Sequence, residues 1–377
     1  MNQPVYLDWA ATTMVDPRVA EMAVQVMTEE FGNAGSRTHL YGSRAKALVD
    51  VARVQISSAV GCETNDVIFT SGATESNNLA LLGSLQHGPT KEARHVITTA
   101  IEHKAVLEPL EHLERNGYEV TRLTPDALGR VSPDDIAKAL RGDTALVSVM
   151  HVNNETGAIQ PIGEIARVLA DHPTLYHVDA AQAFTKYSDS TYDKRIDLIS
   201  ISGHKIQAPK GVGALIVGSR RRIMPIRPLT YGGGQERGIR PGTLSVHLIA
   251  AFGLAAELGI AEFSHRHMTN LSFRERLVDA LTPLDPHYLG DQNHCIPNII
   301  SFAIEGIDSE ALMLSTKDLI AISNGSACTS HRHEPSHVLS AMGIDPRIRQ
   351  GAVRISWSHE STEPNWPEIV ERLRKLS

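Results

Sequence analysis

The stretch "DLISISGHKIQAPKGVGALIVG" (197–218) holds two apolar, β-branched runs separated by a turn of glycine, proline and lysine. Runs of this length and composition predict strands at 197–202 and 213–218, the first leading straight into Gly203, His204 and Lys205. Similar runs lie upstream at 66–70 ("DVIFT"), 95–99 ("HVITT"), 145–150 ("ALVSVM") and 175–180 ("LYHVDA"), alternating with helical patterns from about Ser43 onwards. That rhythm predicts an α/β fold, a mostly parallel sheet flanked by helices, with its ligand chemistry where strands end in polar or glycine-rich turns. Downstream of Leu248 the texture changes to a helical stretch of small and apolar residues, "LIAAFGLAAELGIAEF" (248–263), and then to strand-like runs at 298–304, 319–323 and 352–357. These suit a smaller α+β domain, to which the early "VYLD" (5–8) returns. The expected division is a large domain over 14–255 and a small domain formed by 1–13 with 256–377.

With 377 residues, 42% of them hydrophobic, the chain is long enough to bury a core in each. No apolar stretch reaches the roughly 20 residues of a membrane helix, and "MNQPVYLDWAATT" (1–13) has neither a basic n-region nor an apolar h-region. A cytoplasmic setting without membrane attachment is expected. Cys62, Cys295 and Cys328 are scattered and odd in number, which argues against a disulfide framework. A net charge of −7 with no polybasic block gives no reason to expect direct nucleic-acid binding.

Several motifs carry chemistry. "VIFTSGATESNNLALLG" (67–83) puts Ser71, Gly72, Ala73 and Thr74 between a strand and a helix, where unpaired N–H groups and the helix dipole favour an anion such as phosphate. The plainer reading is N-capping by Ser71 or Thr74. No G-x-G-x-x-G opens the first βα unit, which disfavours a dinucleotide. "YHVDAAQAF" (176–184) places Asp179 at a strand end with Gln182 three residues on; a carboxylate there calls for a cation, such as a protonated pyridine nitrogen, or else caps a helix. Lys205 follows its strand directly and points into the expected site, whereas Lys210 lies past Pro209 and is expected to meet solvent. A partly desolvated lysine can bond to an aldehyde. An anion cradle, a carboxylate awaiting a pyridinium and such a lysine, all at the ends of strands, together describe pyridoxal 5′-phosphate.

His103 in "ITTAIEHKAVLEPL" (97–110) is placed to lie against a ring and move protons, or to cap the helix that follows. Asn154 in "MHVNNETG" (150–157) is able to reach a cofactor or substrate group, or serves a turn. "YGGGQERGIRPGTLS" (231–245), with Arg227 nearby, reads as a flexible cationic loop that closes on an anion or reaches a neighbouring subunit, or as a solvated connection. Cys328 in "AISNGSACTSHRHEPSHVL" (321–339) sits among small polar residues and is available as a nucleophile. "HEPSH" (333–337) matches the zinc-protease pattern H-E-x-x-H, but Pro335 opens a helix better than it continues one and leaves His333 outside. Arg354 in "VRISW" (353–357) clamps a carboxylate if it faces the site, or is an edge charge if it faces out.

Taken together, "YLDWAATT" (6–13), "FTSGATESNNLA" (69–80), "EHKAVL" (102–107), "HVDAAQ" (177–182), "SGHKIQAPKGVGAL" (202–215), "GGGQERGIRPGT" (232–243) and "SNGSACTS" (323–330) resemble the cysteine desulfurases of the NifS/IscS type. These belong to the class V aminotransferase group of fold type I pyridoxal phosphate enzymes. The resemblance covers nearly the whole chain. It implies that Lys205 bonds to the cofactor, that His103 stacks on its ring, that Asp179 pairs with the ring nitrogen and that Gln182 meets the ring oxygen. It implies a phosphate held by Ala73, Thr74, Ser202, His204 and, across a homodimer, Thr243. Cys328 then takes sulfur from L-cysteine, Arg354 binds the cysteine carboxylate and Asn154 assists at cofactor and substrate. The sulfur passes to an acceptor protein serving iron–sulfur assembly, tRNA thiolation or DNA phosphorothioation. Trp9, Ala34-Gly35 and Gln207-Ala208 depart from the common pattern without removing a catalytic residue, and the chain stops at Ser377 without the longer tail that helps dock an iron–sulfur scaffold. The alternatives are aminotransfer or selenocysteine lysis on the same fold, or a regulatory protein binding metal through "CTSHRHEPSH" (328–337).

Overall fold

The structure is a computed structural model and describes residues 3–86, 93–187, 192–218, 224–324 and 336–376. The chain opens with β1 (Val5–Tyr6), α1 (Pro17–Thr28) and α2 (Leu40–Val60). There follow β2 (Val67–Thr70), α3 (Ala73–Leu85), β3 (His95–Thr99), α4 (Lys104–Arg115), β4 (Glu119–Leu123), α5 (Pro133–Ala139), β5 (Thr144–Met150), α6 (Ile162–Val168), β6 (Leu175–Asp179), β7 (Leu198–Ser202) and β8 (Gly213–Val217). Two long helices, α7 (Val246–Ala261) and α8 (Phe263–Leu281), lead to β9 (His287–Leu289), β10 (Ile299–Ala303), α9 (Ser309–Thr316) and β11 (Ile320–Ala321). The chain ends in α10 (His337–Ala341), α11 (Pro346–Gln350), β12 (Val353–Ser356) and α12 (Trp366–Arg374).

Among the described residues, seven strands form one sheet in the order β2-β8-β7-β6-β5-β3-β4. All run parallel except β8, which is antiparallel to both β2 and β7. The expected α/β class and mostly parallel sheet are what the chain adopts. Both faces are covered, as the continuous apolar runs require. Along β5, Val147 and Val149 enter a core built with α1, α2 and α7, while Leu146 points the other way into a core with α3 and α4. A second region carries the antiparallel sheet β12-β10-β9 and the parallel pair β1-β11, in which Val5 faces Ile320. The early segment therefore does return to the end of the chain. Its core gathers Leu7, Trp9, Phe302 and Trp357, with the Phe273 and Trp357 rings stacked at 5.1 Å. Helix α7 runs unbroken through residue 255, and the axis turns by 72° into α8. Among the described residues no single helix is long and apolar enough to cross a membrane.

Candidate active site

The carboxyl ends of β2, β6 and β7 open into a cleft of about 490 Å³. At one end lies the start of α3, whose N-cap is Gly72, at φ 152° and with no side chain capping the helix. The expected capping by Ser71 or Thr74 is not made. Ser71 instead donates its N–H to Glu75 Oε2 at 2.6 Å, and the glycine that caps α3 has no side chain to offer. A first turn left uncapped by side chains is an anion site by dipole and by donor geometry. Ala73, Thr74, Ser202 and His204 all line the cleft there. Burial, reinforced by the charges of Lys205, Lys186 and Lys210, pushes the His204 imidazole down to about 4, so it stands neutral at pH 7.

Opposite this cradle, Asp179 ends β6, buried and accepting from Asn77 Nδ2 at 2.7 Å and Ala181 N at 3.0 Å. Both donors are neutral and leave the carboxylate's charge to be met from the cleft. A turn rather than a full helix follows, and the Ala181 N–H bond caps it. Between the two ends Lys205 projects from the single 3₁₀ turn after β7, its Nζ donating to Ala10 O at 2.6 Å and Ala11 O at 2.8 Å. Lys210 is exposed, as expected, yet it stands at the rim of the same cleft.

The two readings of His103 coincide. It is the N-cap of α4, its Nδ1 accepting from Ala105 N at 3.0 Å, and its ring also lines the cleft. An Nδ1 that accepts leaves the ring proton on Nε2. Gln182 donates Nε2 to Ala10 O at 2.8 Å. Asn154 lines the cleft, and its carbonyl accepts from Arg354 Nη1 at 2.8 Å. Arg354 is buried and faces inward from β12, with Nη2 paired to Asp8 Oδ1 at 2.6 Å and Nε buried without a partner. It is not an edge charge.

Thr243 is exposed and does not line the cleft of its own chain. Cys328, His331 and His333 lie outside the described residues. The chain is described again at Ser336, which caps α10 and donates Oγ to Glu155 Oε2 at 2.5 Å; next to it His337 donates Nε2 to Glu102 O at 2.9 Å. Helix α10 is described over His337–Ala341 with Ser336 as its N-cap. The cationic loop is more anchored than its composition implies. Glu236 is buried against Arg53 at 2.6 Å and accepts from Phe69 N, while Arg240 is held by Glu75 at 2.8 Å. Among the described residues no three His, Cys, Asp or Glu side chains are grouped to hold a metal.

Five participants were not foreseen: Asp8, Asn77, Glu102, Glu155 and Lys186. Glu102 is fully buried, its Oε1 accepting from Thr99 Oγ1 and Met150 N, its Oε2 unpartnered, and burial pushes its carboxyl up to about 8. Burial likewise raises the Glu155 carboxyl. The one sequence signal for both is adjacency, since each stands beside a motif residue, His103 or Asn154. Trp9 and Gln207, two departures from the family pattern, instead wall a smaller cavity behind Lys205.

These groups fit pyridoxal 5′-phosphate by donor chemistry: an uncapped helix start for the phosphate, a neutrally solvated carboxylate for the pyridine nitrogen, and an amine between them for the aldehyde. The family model for class-V aminotransferases matches residues 5–366. Cysteine desulfurase IscS of Escherichia coli O139:H28 is 43% identical over 378 residues, covering 100% of this chain and 93% of that protein. The solved structure of DndA from Streptomyces lividans is 48% identical, covers 96% of this chain and 100% of its own, and superposes with a TM-score of 0.81. A NifS-like protein at 36% identity superposes with a TM-score of 0.89 over 99% of this chain and 98% of its own.

Proposed function

The chain belongs to the class-V aminotransferase family and is a pyridoxal phosphate-dependent cysteine desulfurase, and from that premise we propose that Lys205 and Cys328 divide its chemistry between them. The observation that carries this reading is the meeting, in one cleft, of Lys205 with the uncapped start of α3 and with Asp179.

When bound, the cofactor supplies an electron sink conjugated to the α-carbon of L-cysteine. Ala73, Thr74, Ser202 and His204 would hold the phosphate, with Thr243 added from a second copy of the chain. Asp179 would favour a proton on the pyridine nitrogen, and Gln182 would donate to the ring oxygen. His103 would lie against the ring with its proton on Nε2. Arg354, already steered by Asp8 and the Asn154 backbone carbonyl, would bind the substrate carboxylate from the cleft wall, while the Asn154 side chain assists at the substrate. The Lys205 amine takes the α-proton. The Cys328 thiolate would then attack the substrate Sγ: the new S–S bond forms as the Cβ–S bond breaks, its electron pair stays with Cβ, which gains a proton, and return of the α-proton from Lys205 to Cα completes L-alanine.

Homodimerisation is supported by Thr243, which faces away from its own cleft, and by the exposed apolar side chains Phe31, Leu40, Tyr41 and Tyr231. The division into a large domain, 14–255, and a small one, 1–13 with 256–377, is supported by the separation of the seven-stranded sheet from the two smaller sheets. Free Cys62 and Cys295 support a cytoplasmic setting. Among sulfur acceptors, identity of 48% to DndA against 43% to IscS favours the protein that receives sulfur for DNA phosphorothioation over an iron–sulfur scaffold or a tRNA-thiolation protein.

With L-cysteine and a reductant, the protein is expected to release alanine and sulfide in equal amounts. Cys328→Ser keeps the cofactor's absorption band and releases no sulfide; Lys205→Ala loses the band. A keto acid in place of alanine would move the assignment to aminotransfer. Transfer of ³⁵S to an iron–sulfur scaffold alone, offered beside the other acceptors, would overturn the choice of pathway.

A further inference from the structure

Lys186 has no part in the reaction above, yet it stands behind it. It projects from the turn after Gln182, half-buried, with Nζ donating to Gln182 Oε1 at 3.2 Å. Gln182 is buried and in turn gives Nε2 to Ala10 O, the carbonyl that also accepts from Lys205. A chain of polar contacts therefore runs from one lysine to the other through a single amide. An ammonium carries donors and no acceptor, so it can face only the oxygen of that amide. With Oε1 tied back to Lys186 and one N–H on Ala10 O, the second N–H of Gln182 is the group left for the cleft. Reversing the amide would set N–H against N–H at Lys186 and oxygen against oxygen at Ala10, at the cost of two hydrogen bonds in a buried place.

The surroundings keep Lys186 for this task. It borders a cavity of about 60 Å³ behind Lys205, and none of that cavity's described wall residues carries a carboxylate. Arg266, on α8, is engaged by Glu262 at 2.8 Å and Asp16 at 3.7 Å. Burial, with the charge of Arg266 next, pushes the His359 imidazole down to about 4, which leaves that ring neutral. His267 also walls the cavity and the neutral His204 ring feels the Lys186 charge, while the charge acting on Lys186 is that of Lys205. Desolvation first and Lys205 second push the Lys186 ammonium down to about 7.

We propose that Lys186 is a positioning residue that locks the Gln182 amide with its N–H end towards the cofactor's ring oxygen. The inference rests on the cofactor site proposed above. Its sign with pH follows from the chemistry. Below about pH 7 the ammonium and Ala10 O together enforce one amide orientation; above it, the neutral amine both donates and accepts, and Ala10 O alone is left to hold that orientation.

The test is a pH titration of the cofactor's absorption band and its dissociation constant, read on wild type, Lys186→Met, Lys186→Arg and Gln182→Leu. Wild type is expected to show an inflection near pH 7 in the band. Lys186→Met should lose that inflection and hold the cofactor roughly tenfold more weakly. Lys186→Arg, for which the neighbouring cavity leaves room, keeps a permanent donor; it should restore affinity and stay flat across pH 7. In a Gln182→Leu background, Lys186→Met should have no further effect. Unchanged affinity and an unchanged titration in Lys186→Met, or an undiminished effect in the Gln182→Leu background, overturn the assignment while leaving the cofactor site standing. A wild-type protein that takes up no cofactor overturns both.

Discussion

Glu102 shows what a single buried side chain does to the whole. In an unfolded chain its carboxyl titrates near 4.3, whereas burial sets it at about 8 in the fold. Between those values the native state holds a proton that the unfolded state has lost, so stability falls as pH rises from about 4.3 to 8, at most by ~1.4 kcal/mol per pH unit, and then levels. Glu102→Gln keeps an Oε1 acceptor for Thr99 and Met150 and removes the titration. Urea midpoints measured from pH 5 to 9 should show the variant gaining on wild type up to about pH 8; parallel curves would contradict the account. Asp8 makes a different prediction. Asp8→Asn weakens the hold on Arg354 Nη2, so the KM for L-cysteine should rise several-fold while the cofactor's absorption band stays in place. Lys205, Asp179, Gln182, Ser202 and Thr74 were legible in the sequence as candidates because each stands at, or within four residues of, the carboxyl end of a strand, and strand ends are where such sheets bind. Asp8, Glu102 and Lys186 were not, because their roles come from chain segments brought together only by folding.

At the scale of elements, the apolar runs marked most strands within a residue or two. The exceptions are β4, whose "EVTRL" lies at the sheet edge and needs little apolar surface, and the short β9. Strand direction was not legible, since an apolar run reads the same either way. The reversal of β8 matters for the site. It brings Gly213 against the start of α3, where a Cβ would lie 2.6 Å from Ile201 O and 2.7 Å from Gly72 Cα. Gly213→Ala must therefore push β8 or the phosphate cradle aside, costing about 1–3 kcal/mol and at least tenfold in cofactor affinity. Gly142→Ala, where a Cβ meets nothing within 4 Å, serves as the control. Equal thermal shifts and equal cofactor affinities for the two variants would rule out the close approach as the cause.

For the whole molecule, the Phe31 and Tyr41 rings stack at 5.4 Å while 68% and 52% exposed, a pair of aromatic faces with no partner in its own chain's core. If a second copy covers them, Phe31→Asp should shift sedimentation towards the monomer and loosen cofactor binding together, because Thr243 would be withdrawn from the neighbouring cleft; a variant that stays dimeric with full affinity removes this face from the interface. The segment from Val5 to Thr13 ties the molecule differently. It pairs with β11, its Asp8 reaches Arg354 across 346 residues, its Ala10 and Ala11 carbonyls hold Lys205, and Thr13 bonds both His204 and Gln207. This segment thus waits for β11 and for Arg354, both made more than 300 residues after it. At about 5–20 residues per second, roughly 10–30 s separates the end of β8 from Arg354, so a chain stalled before β12 would carry the sheet with Asp8 lacking Arg354.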